Sequence, residues 1–380
     1  MIYLDYAASS PPFPQAAERV QQTMLQQFGN PGALHCAGAD ARGILQESRR
    51  TIAGLLQVQE REVFFTSGGT ESNNWAVKMG CLKRSGKHIV AAATEHKSVL
   101  HSVHRMQQQG YAVSYVNPGM DGRIAPEAVE AVLRPDTCLV CVQAVNNETG
   151  VIQDVAALAA LCRKRGITYL CDSVQSFGHV DQPLNKADFI TLSAHKLGGP
   201  RGVGCLVARY PNTPAPLMDG GGQELGLRSG TENLPGIAGF ALAAQLSAQS
   251  LQQEAQRLGQ LTQALLRGLR EAAPQMELNG AAAPRHPGIL NCRFPGITAE
   301  EMVMRLDLKG ICVSPGAACA ARDPEPSHVL LAMGYSSRQA KESVRFSPGR
   351  LTTMEEIETT VRAVADIMKK TADRQRLLPE

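Results

Sequence analysis

The chain has 380 residues, 43% of them hydrophobic, with 38 Lys plus Arg against 35 Asp plus Glu and a formal charge of +3. That length supports one large domain and a smaller companion, each with its own core, and excludes a small peptide-like fold. The charge lies along the chain without basic runs and no apolar stretch reaches membrane-spanning length, so neither nucleic acid nor a membrane is an expected partner.

The N-terminus, Met1-Ile2-Tyr3-Leu4-Asp5, carries no basic segment followed by an apolar export signal, so a cytoplasmic protein is the expectation. Between residues 60 and 210, apolar strand-like runs alternate with amphipathic helical stretches, the pattern of a doubly wound α/β layer. The predicted strands are Val63–Thr66, Ile89–Ala93, Ala112–Val116, Leu139–Ala144, Thr168–Cys171, Phe189–Ser193 and Val203–Ala208. They imply one wide, mostly parallel sheet. Helices are predicted between them over Glu71–Lys83 and Val155–Arg165, the latter ending at Gly166 as helix C-termini often do.

From Pro235 to Ala272 the sequence is rich in Ala, Leu and Gln and reads as one or two long helices leaving the sheet. A second, α+β unit follows, with short strands at Ile289–Phe294, Ile311–Val313 and Ser343–Ser347 and helices at Ala299–Leu308 and Thr353–Lys369. The helical stretch Gln15–Gln27 is a candidate to pack on it. The division expected is a large domain of residues 14–250 and a small domain of residues 1–13 and 251–380.

The 10 cysteines are scattered through strands and helices, which argues for reduced, mostly buried thiols rather than a disulfide framework. The C-x-x-C pair Cys138 and Cys141 lies on a predicted strand, where residues three apart face opposite sides, so no shared metal or redox site is expected.

In open α/β sheets ligands bind beyond the carboxyl ends of the strands. The first such end is Thr66-Ser67-Gly68-Gly69-Thr70-Glu71-Ser72-Asn73, which could hold a phosphate on backbone N–H groups or simply join a strand to a helix. Others are Thr94-Glu95-His96, Asn146-Asn147-Glu148 and Asp172-Ser173-Val174-Gln175. A lone His or Asp at such a place is more often a hydrogen-bonded structural residue or a helix cap than a catalytic group. The decisive end is Ser193-Ala194-His195-Lys196, where a strand delivers a lysine to the same rim. Alone, Lys196 reads as a solvated cation. With Asp172 and an anion-binding loop on that rim, it reads as a carbonyl-condensing nucleophile of the kind pyridoxal phosphate requires.

These motifs, with Tyr3-Leu4-Asp5-Tyr6-Ala7-Ala8, Arg228-Ser229-Gly230-Thr231 and Val344-Arg345-Phe346-Ser347, resemble class V, aspartate-aminotransferase-like enzymes of fold type I. Among these they resemble the cysteine desulfurases of the NifS/IscS type, over nearly the whole chain. The resemblance implies pyridoxal phosphate as cofactor, held covalently by Lys196, with His96 stacked on its ring, Asp172 on its ring nitrogen and Gln175 on its phenolic oxygen. Gly69, Thr70, Ser193 and His195 resemble the phosphate-binding set, and Thr231 would reach the phosphate of the neighbouring subunit of a homodimer. Asn147 is similar to a residue that contacts both cofactor and substrate, and with Arg345 it would receive the carboxylate of L-cysteine. Cys319 would take the sulfur as a persulfide, leaving alanine, for delivery to an acceptor or iron–sulfur scaffold protein. No metal is implied.

Two departures from the family pattern stand out. Ser314-Pro315-Gly316-Ala317-Ala318-Cys319 has proline and alanines where relatives more often carry serines, and the chain closes soon after its last predicted helix, without the longer tail some relatives use with partners. Rival readings are an aminotransferase or selenocysteine lyase in which Cys319 is incidental, and a catalytically silent dimeric scaffold. A scaffold needs none of Lys196, Asp172, His96 and Cys319.

Overall fold

The structure is a computed structural model of the chain, and it describes residues 1–82, 84–209, 211–315 and 325–377. All seven strands expected between residues 60 and 210 form one sheet: β2 (Val63–Thr66), β3 (His88–Ala92), β4 (Ala112–Val116), β5 (Thr137–Cys141), β6 (Thr168–Asp172), β7 (Phe189–Ser193) and β8 (Gly204–Ala208). They follow β1 (Ile2–Tyr3) in the chain and take the spatial order β2-β8-β7-β6-β5-β3-β4. Only β8 runs against its neighbours, pairing antiparallel with both β7 and β2. The carboxyl ends of the other six therefore share one rim.

Helices α1 (Pro14–Gln26), α2 (Cys36–Leu56), α3 (Gly69–Leu82), α4 (Lys97–Gln108), α5 (Pro126–Glu130) and α6 (Val155–Arg165) surround this sheet. Most of its strands are buried along their whole length, as a sheet covered on both faces requires. One core lies under α2, α6 and the start of α7 (Leu234–Ala272), the other under α3 and α4. Helix α6 keeps its expected bounds because Asp154 caps its N-terminus by accepting from the Ala157 N–H and Gly166 ends it in the left-handed conformation.

The stretch after Pro235 is a single helix of 39 residues, and it serves two cores. Its first half packs on the large sheet, whereas Leu258, Leu261, Leu265 and Leu269 join a second core with Leu4 and Phe346. That second core gathers β9 (Glu277–Leu278), β10 (Leu290–Arg293) and β12 (Ser343–Phe346) into one antiparallel sheet, with β11 (Ile311–Cys312) paired to β1. Helices α8 (Ala299–Asp307), α9 (His328–Ala332), α10 (Ser337–Lys341) and α11 (Met354–Leu377) complete the chain.

Two expectations are corrected. Helix α1 does not pack on the second unit: it lies along α7, and its Ala16 is buried in the core of the large sheet. Cys138 and Cys141 do not face opposite sides. His88 pairs with Thr137 and Ile89 with Leu139, so Cys138 is an extra residue in the register and turns onto the α3 side with Leu139 and Cys141. There its Sγ lies 3.9 Å from that of Cys81. Among the described residues, no group of three or more His, Cys, Asp or Glu is placed to hold a metal.

Candidate active site

The shared rim opens into a cavity of about 290 Å³. Gly69, Thr70, His96, Asn147, Asp172, Gln175, Ser193, His195, Lys196 and Arg345 all line it. Each large-domain residue arrives on the turn that ends a strand, so the parallel arrangement itself assembles the set. Thr231, singled out in the sequence, is exposed and does not line this cavity. Cys319 lies outside the described residues.

Lys196 sits on a single helical turn directly after β7, where its Nζ donates to the carbonyls of Ala7 (2.6 Å) and Ala8 (2.9 Å). The N-terminal segment thus reaches the rim, tethered by the β1–β11 pairing. Asp172 is buried, with Oδ1 accepting from the Val174 N–H at 3.0 Å and Oδ2 from the Asn73 amide at 2.7 Å. The same amide donates to Ser98 Oγ at 2.9 Å, and Ser98 Oγ lies 2.7 Å from His96 Nδ1. Because Ser98 Oγ accepts from Asn73, its own proton is free for His96. The Ser98 N–H also points at Nδ1, at 3.1 Å. Both donors make Nδ1 an acceptor, so the neutral ring carries its proton on Nε2. Burial also disfavours the charged ring, opposed by Asp172 and reinforced by Lys196, and the net effect is a pKa below the usual imidazole value.

Glu95, beside His96, is fully buried and its pKa is pushed well above the usual carboxyl value, first by burial and then by the charge of Asp172. Its Oε1 accepts from the Gln143 N–H at 2.5 Å and its Oε2 has no hydrogen-bond partner. His195, with Nδ1 3.2 Å from Ser9 Oγ, is driven down to about 4 by burial and by the charges of Lys196 and Arg201. At pH 7 His195 is neutral and meets an anion as an N–H donor rather than as a cation.

Arg345 is fully buried. Its Nη2 pairs with Asp5 Oδ1 at 2.8 Å and its Nη1 donates to the Asn147 carbonyl at 2.7 Å. Gln175 donates to the Ala7 carbonyl at 2.7 Å. Cys312 departs from the buried thiol expected of an apolar run: β11 pairs with β1 alone, which leaves Cys312 half-buried, and its thiol is raised by burial and by Asp307 and Asp5. It does not line the cavity.

Sequence reading missed the residues that hold this set in place. Asn73 lies within the Thr66–Asn73 motif and one helical turn beyond Gly69, so its spacing could have placed it on the cavity face. Asp5 and His328, whose Nε2 meets the Glu95 carbonyl at 2.9 Å, carry no local signal.

The donor set has three parts: an amine, a buried carboxylate held by an amide and a backbone N–H, and an anion end. That end combines the first turn of α3 with Thr70, Ser193 and the neutral His195. Its chemistry fits a phosphorylated pyridine aldehyde, and the family relationship agrees. The chain belongs to the aminotransferase class-V family, which matches residues 2–360 and implies pyridoxal phosphate as cofactor. It is 40% identical over 376 residues to cysteine desulfurase IscS of Anaeromyxobacter dehalogenans, covering 97% of this chain and 93% of that one. With cysteine desulfurase IscS of Tolumonas auensis the identity is 41% over 381 residues, 98% and 94% of the two chains. A NifS-like protein of known structure matches with a TM-score of 0.89 at 31% identity, over 97% of this chain and 99% of that one.

Proposed function

We propose that this protein is a pyridoxal-phosphate-dependent cysteine desulfurase that converts L-cysteine to L-alanine and passes the sulfur to Cys319. The observation that carries this reading is the convergence of Lys196, Asp172 and His96 on one cavity, in a chain about 40% identical to cysteine desulfurases along nearly its whole length.

Pyridoxal phosphate, when bound, supplies an aldehyde carbon that condenses with amines and a protonated ring that draws electrons from the attached carbon. Lys196 would hold it covalently and would move a proton at the substrate α-carbon. Asp172 holds the proton on the ring nitrogen, and Asn73 and the Val174 N–H fix that carboxylate in place. His96, with its Nε2–H tautomer set by Ser98, would cover a ring face. Gln175 holds the phenolic oxygen, while Gly69, Thr70, Ser193 and His195 hold the phosphate. Asn147 and Arg345 orient the substrate carboxylate at the end of the cavity they share. The Cys319 thiolate forms an S–S bond with the substrate sulfur as the Cβ–Sγ bond breaks. The carbon keeps the electron pair and takes a proton, giving alanine.

A homodimer in which Thr231 reaches the partner's phosphate accords with its exposure outside its own cavity. A sulfur acceptor or iron–sulfur scaffold protein would then discharge Cys319. The test is incubation of the purified protein with pyridoxal phosphate and L-cysteine. Alanine and protein-bound persulfide are expected in equal amounts, and alanine or pyruvate without persulfide would assign the chain to another class V reaction.

A further inference from the structure

Strand β2 is an edge of the large sheet, and one of its backbone N–H groups and one in the loop just after it are each met by a carboxylate. The Phe65 N–H donates to Glu224 and the Ser67 N–H to Glu71, each at 2.9 Å. Each carboxylate is gripped by an arginine. Arg49 holds Glu224 at 2.6 and 2.9 Å, and Arg228 holds Glu71 through Nε at 2.8 Å and Nη2 at 3.3 Å.

Glu71 has a second consequence, because it lies in the first turn of α3. The N–H groups of that turn are those available to an anion, and Glu71 borders the mouth where Gly69, Thr70, Ser193 and His195 meet. A bare carboxylate there pins the loop through Ser67 but repels any phosphate that enters. The forked pairing with Arg228 removes that repulsion while leaving the Ser67 bond intact. Both side chains of the pair are about four-fifths buried, at 19% and 18% exposure, so solvent screens the effect only in part. Burial raises the Glu71 carboxyl, but the bonds from Arg228 and Ser67 outweigh it and hold Glu71 ionised.

We infer that Arg228 is a positioning residue of the phosphate subsite: by neutralising Glu71 it lets one carboxylate order the Ser67–Thr70 loop without expelling the cofactor's phosphate. This rests on the reading of the cavity as the pyridoxal phosphate site. Arg228 touches neither substrate nor cofactor in this role.

The test is the dissociation constant of pyridoxal phosphate from the apoprotein, by equilibrium dialysis at low salt. Wild type is compared with R228Q, R228K and the double variant E71Q/R228Q. An unneutralised charge a few ångströms from the phosphate is expected to weaken R228Q by about tenfold, with the deficit shrinking in about 1 M KCl. R228K, which keeps the charge, and E71Q/R228Q, which removes both charges, are expected within about threefold of wild type. A double variant as weak as R228Q, a salt-independent deficit, or unchanged affinity in R228Q would overturn the inference. Failure of the wild type to bind pyridoxal phosphate would instead overturn the functional reading. The same four proteins titrated with inorganic phosphate would then test the clamp separately.

Discussion

The Asn73 side-chain amide donates to Asp172 Oδ2 at 2.7 Å, joining residues 99 positions apart beneath the cavity. Its second proton goes to Ser98 Oγ, and its carbonyl oxygen accepts from Thr191 Oγ1 at 2.8 Å. One amide on α3 thus orients the carboxylate at the end of β6 and, through Ser98, the tautomer of His96. Asn73→Ala removes one hydrogen bond from each of Asp172, Ser98 and Thr191, buried polar residues on three elements. Stability is expected to fall by about 1–3 kcal/mol, and alanine formation by roughly tenfold or more as Asp172 loses its fixed orientation. Urea denaturation and steady-state kinetics measure the two effects, and unchanged turnover in the folded variant would show that Asp172 does not depend on this amide.

Lys196→Ala is expected to bind pyridoxal phosphate only in a form removed by dialysis. Borohydride treatment should fix the cofactor to wild type and leave the variant's mass unchanged. A labelled peptide from the variant would place the covalent bond on another lysine.

Cys319→Ala is expected to abolish persulfide formation while the absorption change on adding cysteine remains. The competing thiol is Cys312, half-buried but away from the cavity, with its pKa raised above the usual thiol value. Persulfide mapped to Cys312 by mass spectrometry would reverse the assignment.

His195 titrates near 6.5 in an unfolded chain but is held at about 4 in the fold, through burial and the charges of Lys196 and Arg201. As pH falls from about 6.5 toward 4, the unfolded chain gains a proton that the folded chain refuses. The stabilisation is complete above that window and is lost on descending through it. His195→Gln does not titrate, so the stability gap between wild type and variant is expected to shift against wild type between about pH 7 and pH 5. Urea midpoints across that range measure it, and a constant gap would mean that His195 takes up its proton as readily in the fold as in the unfolded chain.

Gly204 opens β8 at the rim, where a Cβ would lie 2.4 Å from the Leu192 carbonyl oxygen and 2.7 Å from the Gly68 Cα. Neither backbone atom can yield without moving β7 or the anion loop. Gly204→Ala is expected to cost about 1–3 kcal/mol in stability and to weaken cofactor binding, read by thermal unfolding and equilibrium dialysis. Wild-type cofactor affinity in the variant would show that the loop tolerates the shift.

The sheet's strands, helix α6 with its glycine stop, and the lysine and aspartate at strand ends were all legible in the sequence. Each is encoded locally: the length of an apolar run, the period of a helix and the residue type at a turn depend on neighbours a few positions away. The direction of β8 was not, since its apolar run reads like those of the parallel strands. It is set by the short return from Ser193 to Gly204, which pair with each other. The face of Cys138 was misread because one extra residue in the β3–β5 register reverses a side chain without leaving a trace in composition. The groups that tune the site were likewise out of reach: Asn73 beneath Asp172, Asp5 on Arg345 and Arg228 on Glu71 meet across 99, 340 and 157 positions. Residue chemistry and local pattern determined which elements form and which side chains reach the rim. Which polar group satisfies which depends on how strands pair and helices pack, a non-local choice made only when the chain closes around its cores.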